Sequence, residues 1–177
     1  MTTTRNISAA SALGRTVLGL AFAVGASTAY AQSDATGVFP AIDTCIDAAL
    51  QQQDGLLLGW EVKNPKDNIV QLDVLASDDK IWTMQCSNGK VSTPEKKVGQ
   101  KKYKMLSSRV KVPEKSARFT AVGAYPIAEV REMEYDTTWK GRPYFIYQMK
   151  TNDGRNATVE VNAETGQVDR SKTERKD

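Results

Sequence analysis

Apolar residues recur at Ile42, Cys45, Ile46, Ala49 and Leu50, the spacing of one helical face, while Asp43, Asp47 and Gln51 fall on the opposite side. The pattern predicts an amphipathic helix that stops at Gly55. The period then shortens. Residues 56–63 read as a strand ended by the turn cluster Asn64-Pro65-Lys66-Asp67-Asn68. In residues 69–75, Val70, Leu72 and Val74 alternate with Gln71 and Asp73, as in a half-buried strand. After the turn Ser77-Asp78-Asp79-Lys80, a third strand over 81–86 sets Trp82, Met84 and Cys86 on one face.

The second half repeats this order. Pro113 suits a helix start. Ala117, Ala121 and Ala124 form a stripe of small residues beside Phe119, Val122 and Tyr125, weakened by Gly123 and ended by Tyr125-Pro126. A strand over 127–136 leads to the turn Trp139-Lys140-Gly141-Arg142. The next strand, 143–150, faces Phe145, Tyr147 and Met149 inward. Asn152-Asp153-Gly154 is a hairpin signal, and Ala157, Val159 and Val161 line the last strand. Ala163-Glu164-Thr165-Gly166 closes it, and 171–177 reads as a charged tail. A shift of 75 residues lays the second strand of the first half on that of the second, turn on turn. The expectation is an α+β protein of two tandem units, each a helix packed on a three-stranded antiparallel meander with its own core. One sheet continued across both units and two independent sheets both fit the pattern.

Charge divides the chain further. Residues 95–118 hold nine lysines and arginines against Glu95 and Glu114. The expected division is a first unit over 32–94, a basic connector over 95–112 and a second unit over 113–177. Residues 1–31 read as a removable secretion signal: Arg5 and Arg15 precede a short apolar run, and Ala29-Tyr30-Ala31 precedes Gln32 as a cleavage site. Without the leader the formal charge falls from +3 to +1, which gives no case for nucleic acid. The remaining chain has no apolar stretch of membrane length. The expected location is the periplasm, or outside the cell.

Little in the chain points to catalysis. Histidine is absent, which removes the commonest general base and metal ligand. Cys45 and Cys86 read as a disulfide joining the first helix to the third strand across the core, the alternative being two inert buried thiols. Turn chemistry explains Asp78, Asp79 and Asp153. Glu132 and Glu134 share a strand face, without the spacing of a calcium loop. No enzyme, cofactor or metal is expected. Trp139, an aromatic in a turn, is a candidate interface residue, as are Lys101, Lys102, Tyr103 and Lys104 of the connector. The connector is read chiefly as a solvated link, with contact to an anionic surface as the sharper possibility.

The stretch from Tyr144 to Gly154, followed by Val159-Glu160-Val161-Asn162-Ala163-Glu164-Thr165-Gly166-Gln167-Val168, resembles the PepSY family. The resemblance covers roughly 113–170. The first half departs from it, with Asp78-Asp79 in place of the turn glycine and Ser87-Asn88-Gly89 as a shorter closing turn. It implies a helix followed by an antiparallel meander, and peptide binding or peptidase inhibition without catalytic residues. The expected function is therefore an exported, non-enzymatic module that binds or inhibits a protein or peptide partner. The alternative is an envelope-associated structural protein that touches anionic surfaces through its basic connector.

Overall fold

The computed structural model describes residues 39–97, 103, 108–137 and 141–174; the leader expected over 1–31 lies outside them. Helix α1 (Phe39–Gln52) is followed by β1 (Gly55–Asn64), β2 (Ile69–Ala76), β3 (Ile81–Ser87), β4 (Lys90–Val91) and β5 (Glu95–Lys97). Helix α2 (Glu114–Ala124) then precedes β6 (Glu129–Thr137), β7 (Pro143–Lys150), β8 (Asn156–Asn162) and β9 (Val168–Thr173). Corresponding elements of the two halves begin close to 75 residues apart, from Phe39 and Glu114 for the helices to Ile81 and Asn156 for the third strands.

The chain does not fold as two tandem units of a helix on three strands. It is a mostly-sheet fold. Among the described residues, nine antiparallel strands form one sheet in the order β4–β3–β2–β1–β6–β7–β8–β9. The short strands β4 and β5 share the outer edge of β3. The seam is β1 against β6, with Gly59 opposite Glu134, Trp60 opposite Met133 and Glu61 opposite Glu132. A physical reason is close at hand. Two separate meanders would each leave a long first strand with unpaired backbone groups, a template for mispairing. Pairing β1 with β6 removes both edges. It also merges two small cores, and burial becomes more efficient as a domain grows.

Cross-strand register shows which face is buried. Met84, Leu72, Trp60, Met133, Tyr147 and Val159 stand opposite one another in turn, a continuous row across β3, β2, β1, β6, β7 and β8. All are buried, Trp60 at 2% exposure and Tyr147 at 0%. Both helices lie on this side. Cys45 of α1 is bonded to Cys86, two residues along β3 from Met84. The Tyr147 hydroxyl donates to the Glu114 carbonyl at the start of α2 (3.1 Å). Ile42, Cys45, Ile46 and Ala49 of α1 join Ala117 and Ala121 of α2 in the same core cluster. The alanine stripe lets α2 sit close to the sheet, where β7 and β8 supply the bulk through Tyr147, Met149 and Val159.

The basic segment belongs to the fold at both ends. Residues 95–97 form β5 on β3. Lys111 and Val112 donate their backbone N–H groups to the Ala163 carbonyl at 2.9 and 3.0 Å. Arg109 forms a two-pronged pair with Glu164 (3.0 and 3.1 Å) and also donates to the Gly141 carbonyl. Residues read as a charged tail begin inside β9, whose positions are almost all exposed. An edge strand of that kind has no apolar alternation to betray it.

Candidate binding surfaces

A polar cluster sits where the helices meet over the sheet. Arg118 on α2, with a side chain only 5% exposed, pairs with Asp43 of α1 and reaches Glu114 one turn back (3.5 Å). Its guanidinium lies 5.8 Å from the centre of the Trp60 ring. The Trp60 indole N–H donates to Glu114 (3.1 Å), and Lys115 closes on the other oxygen of Asp43 (2.7 Å). Burial pushes the Asp43 carboxyl up, but hydrogen bonds from Lys115 and Arg118 outweigh it and hold the group below its ordinary value. Glu114 lies deeper. There burial outweighs the nearby Arg118 and raises its pKa. Such a cluster is built to hold α1 and α2 in one arrangement.

Beside it lies a cleft of about 340 Å³, floored by Ile46, Leu50, Leu56, Val110, Val112 and Phe145 and rimmed by Asp43, Asp47, Glu114 and Lys115. This is near the lower end of the range for small-ligand sites. Its few polar groups are mostly engaged with one another, since Asp43, Glu114 and Lys115 all belong to the cluster above. The cleft can take an apolar side chain more readily than it can recognise a polar ligand.

The sheet face opposite the helices has a different character. Two rows cross it between those of the core. One runs Thr83, Asp73, Gly59, Glu134, Ile146, Glu160, Arg170. The other runs Gln85, Gln71, Glu61, Glu132, Gln148, Thr158, Lys172. The centre is therefore acidic, with Asp73, Glu61, Glu132 and Glu134 gathered around the side-chain-free Gly59. Neighbours hold these groups in place: Thr83 donates to Asp73 (2.5 Å), Lys63 pairs with Glu61, and Thr158 donates to Gln148 (2.8 Å). Partial burial raises the Glu132 pKa, and the carboxyls of Glu134 and Glu61 raise it further. The eight sheet positions span about 34 Å at the usual strand spacing.

The residues singled out in sequence fare unevenly. Cys45 and Cys86 form a disulfide with their Cα atoms 5.7 Å apart. Tyr103 is partly buried and packs against the core cluster, so it is a structural residue as much as a surface one. Trp139, Lys101, Lys102 and Lys104 lie outside the described residues. Asp78 pairs with Lys80 and Asp153 with Arg155 (2.7 Å), both within their own turns. Glu132 and Glu134 do share a face, but Glu61, which arrives from the other half, could not be placed beside them without the β1–β6 register. Arg118 and Glu114 were read only as members of a charged run. Their burial follows from helical phase: Arg118 lies one position from Ala117 and three from Ala121, both fully buried.

Among the described residues no helix is long and apolar enough to cross a membrane, and no group of three or more histidine, cysteine, aspartate or glutamate side chains could hold a metal ion. No family model and no curated protein matches the chain. Among solved structures, the chain is similar to a candidate lipoprotein from Clostridium difficile 630, with a TM-score of 0.48 and 11% identity over 78% of this chain and 93% of that one.

Proposed function

We propose that the protein is an exported, non-enzymatic, PepSY-like binding module that holds a protein partner on the sheet face opposite its helices and inhibits or sequesters it. The observation that carries this reading is the acidic centre of that face, four carboxylates around Gly59 on a sheet about 34 Å wide. A surface of this extent matches the footprint of about 800 Å² per partner in a standard interface. Its charge suits a partner with basic groups at the contact. The disulfide suits an oxidising compartment outside the cytoplasm, most simply the periplasm.

The envelope-surface alternative is weaker. Arg109 of the connector is paired with the protein's own Glu164. That charge is partly spent before any anionic surface is met.

Site-specific photocrosslinking tests the reading. A photoreactive residue replaces Gln148 on the acidic face or Phe119, which is 47% exposed on α2. In a periplasmic extract, Gln148 is expected to yield one protein adduct that disappears with Glu61→Lys/Glu132→Lys, and the adducted protein is then assayed for peptidase activity with and without this chain. Adducts from Phe119 alone, or adducts indifferent to charge reversal, would sink it.

A further inference from the structure

The two edges of the sheet are not alike. On one side β3 is capped by β4 and β5, of two and three residues. On the other side β9 is six residues long and has no neighbour beyond it among the described strands. Its backbone groups can be assigned by alternation. The Glu174 N–H donates to the Asn156 carbonyl (2.9 Å), and the Asn162 N–H donates to Gln167 (2.9 Å). Lys172 and Arg170, in the same phase as Glu174, therefore turn their N–H and C=O groups toward β8, where they stand opposite Thr158 and Glu160. Ser171 and Thr173 turn theirs to the outer edge.

The side chains add a charge signature. Arg170 and Lys172 lie on the sheet face opposite the helices, both exposed. Arg170 reaches Glu160 at 3.5 Å, and Lys172 has no carboxylate partner among the described residues. An antiparallel strand added to this edge would meet Arg170 and Lys172 in its non-hydrogen-bonded pairs, where Cα atoms come within about 4.5 Å and side chains approach most closely. Carboxylates at two alternate positions of that strand would lie against these two cations. A second copy of this chain is the competing occupant. Pairing β9 with itself about Ser171 sets Arg170 against Lys172, like charges that are destabilising when directly opposite, whereas pairing about Lys172 sets Lys172 against itself but Arg170 against Glu174.

From this geometry we propose that the β9 edge accepts, by antiparallel strand addition, an extended segment of a partner protein with acidic residues at alternate positions. Ser171 and Thr173 supply the backbone hydrogen bonds, and Arg170 and Lys172 read the charge. Arg170 and Lys172 end the same two rows that carry the acidic centre, three strands away from β6, and Glu61→Lys/Glu132→Lys is expected to leave peptide binding at the edge unchanged.

The test uses a fluorescein-labelled seven-residue peptide of alternating glutamate and threonine, and its counterpart with lysine for glutamate, titrated against the intact protein at low salt. The glutamate peptide is expected to bind at least about tenfold more tightly, the range of one lost charge-assisted bond. Lys172→Glu is expected to reverse that preference. Ser171→Pro removes an outward N–H without touching the β8 ladder, and should abolish binding while leaving the melting curve intact. On the wild-type protein, saturating glutamate peptide should slow hydrogen exchange at the Ser171 and Thr173 amides. Equal binding of both peptides, binding of neither, no protection at those two amides, or dimerisation through β9 in the absence of peptide would overturn the assignment.

Discussion

Asp43 and Arg118 stand 75 positions apart, the spacing that relates the two halves, so their ion pair joins α1 and α2 at equivalent points. Gly59 and Glu134, paired at the β1–β6 seam, are also 75 apart. The two halves are thus related by an approximate two-fold that passes through both contacts. Asp43 and Arg118 are one position of the repeat, filled once with a carboxylate and once with a guanidinium.

Because Arg118 is buried and faces two carboxylates, Arg118→Ala is expected to cost about 3 kcal/mol by urea denaturation, the penalty for stranding a buried partner. Replacing all three charges with apolar side chains (Asp43→Leu/Glu114→Met/Arg118→Met) is expected to recover most of that loss. A triple variant as unstable as the single one would show that the charges contribute more than they cost.

The two kinds of carboxyl make opposite contributions to pH dependence. Asp43 is held below its ordinary 3.8, so its stabilisation is present above that value and is lost as pH falls through its folded-state value. Glu132 is raised above 4.5 by burial and by Glu134 and Glu61, so its favourable contribution is complete below 4.5 and is lost as pH rises through its folded-state value. Glu132→Gln should therefore raise the urea midpoint at pH 7, with an advantage that shrinks toward pH 4. An equal gain at both pH values would mean that Glu132 is unperturbed.

The Cys45–Cys86 bond closes a separation of 41 residues, and in the chain-entropy model its loss costs about 4 kcal/mol. Cys45→Ser/Cys86→Ser should show this in chemical denaturation, with the β6–β9 amides keeping more of their exchange protection than those of α1. Uniform loss across the chain would instead make the bond a staple for the whole sheet.

Gly59 tests the seam. A Cβ there would lie 2.9 Å from the Met133 carbonyl oxygen, a backbone atom that cannot swing aside. Gly59→Ala is expected to cost about 1–3 kcal/mol, in the range of overpacking. Exchange at Trp60 and Met133, the amides whose phase turns them across the seam, should rise first. Wild-type protection at those amides would show that the seam tolerates the methyl group.

Local order was plain in the sequence. The α1 stripe of Ile42, Cys45, Ile46 and Ala49, the alternation of Val70, Leu72 and Val74, and the facing pair of cysteines each follow from a periodicity that short-range sterics impose. The Asp153-Gly154 turn is of the same kind, since Gly154 takes φ 81°, a conformation glycine adopts freely. The joining of the halves was not legible. Glu61 and Glu132 are intermediate in exposure, and the same polar residues would suit a strand edge in water or a seam between strands. A period-2 pattern records which face is buried, not which neighbour lies alongside. Nor could a pattern distinguish Arg118, a buried cation with its own partners, from the lysines before it.

The seam has one more consequence. Through the approximate two-fold, the surface that β6 offers to β1 is nearly the surface that β1 would offer to a copy of itself, with Gly59 opposite Gly59. A chain stopped before α2 would leave that strand bare and self-complementary. The intact protein is in this sense a dimer written as a single polypeptide, and a long-lived encounter between two partly opened chains could exchange halves across it.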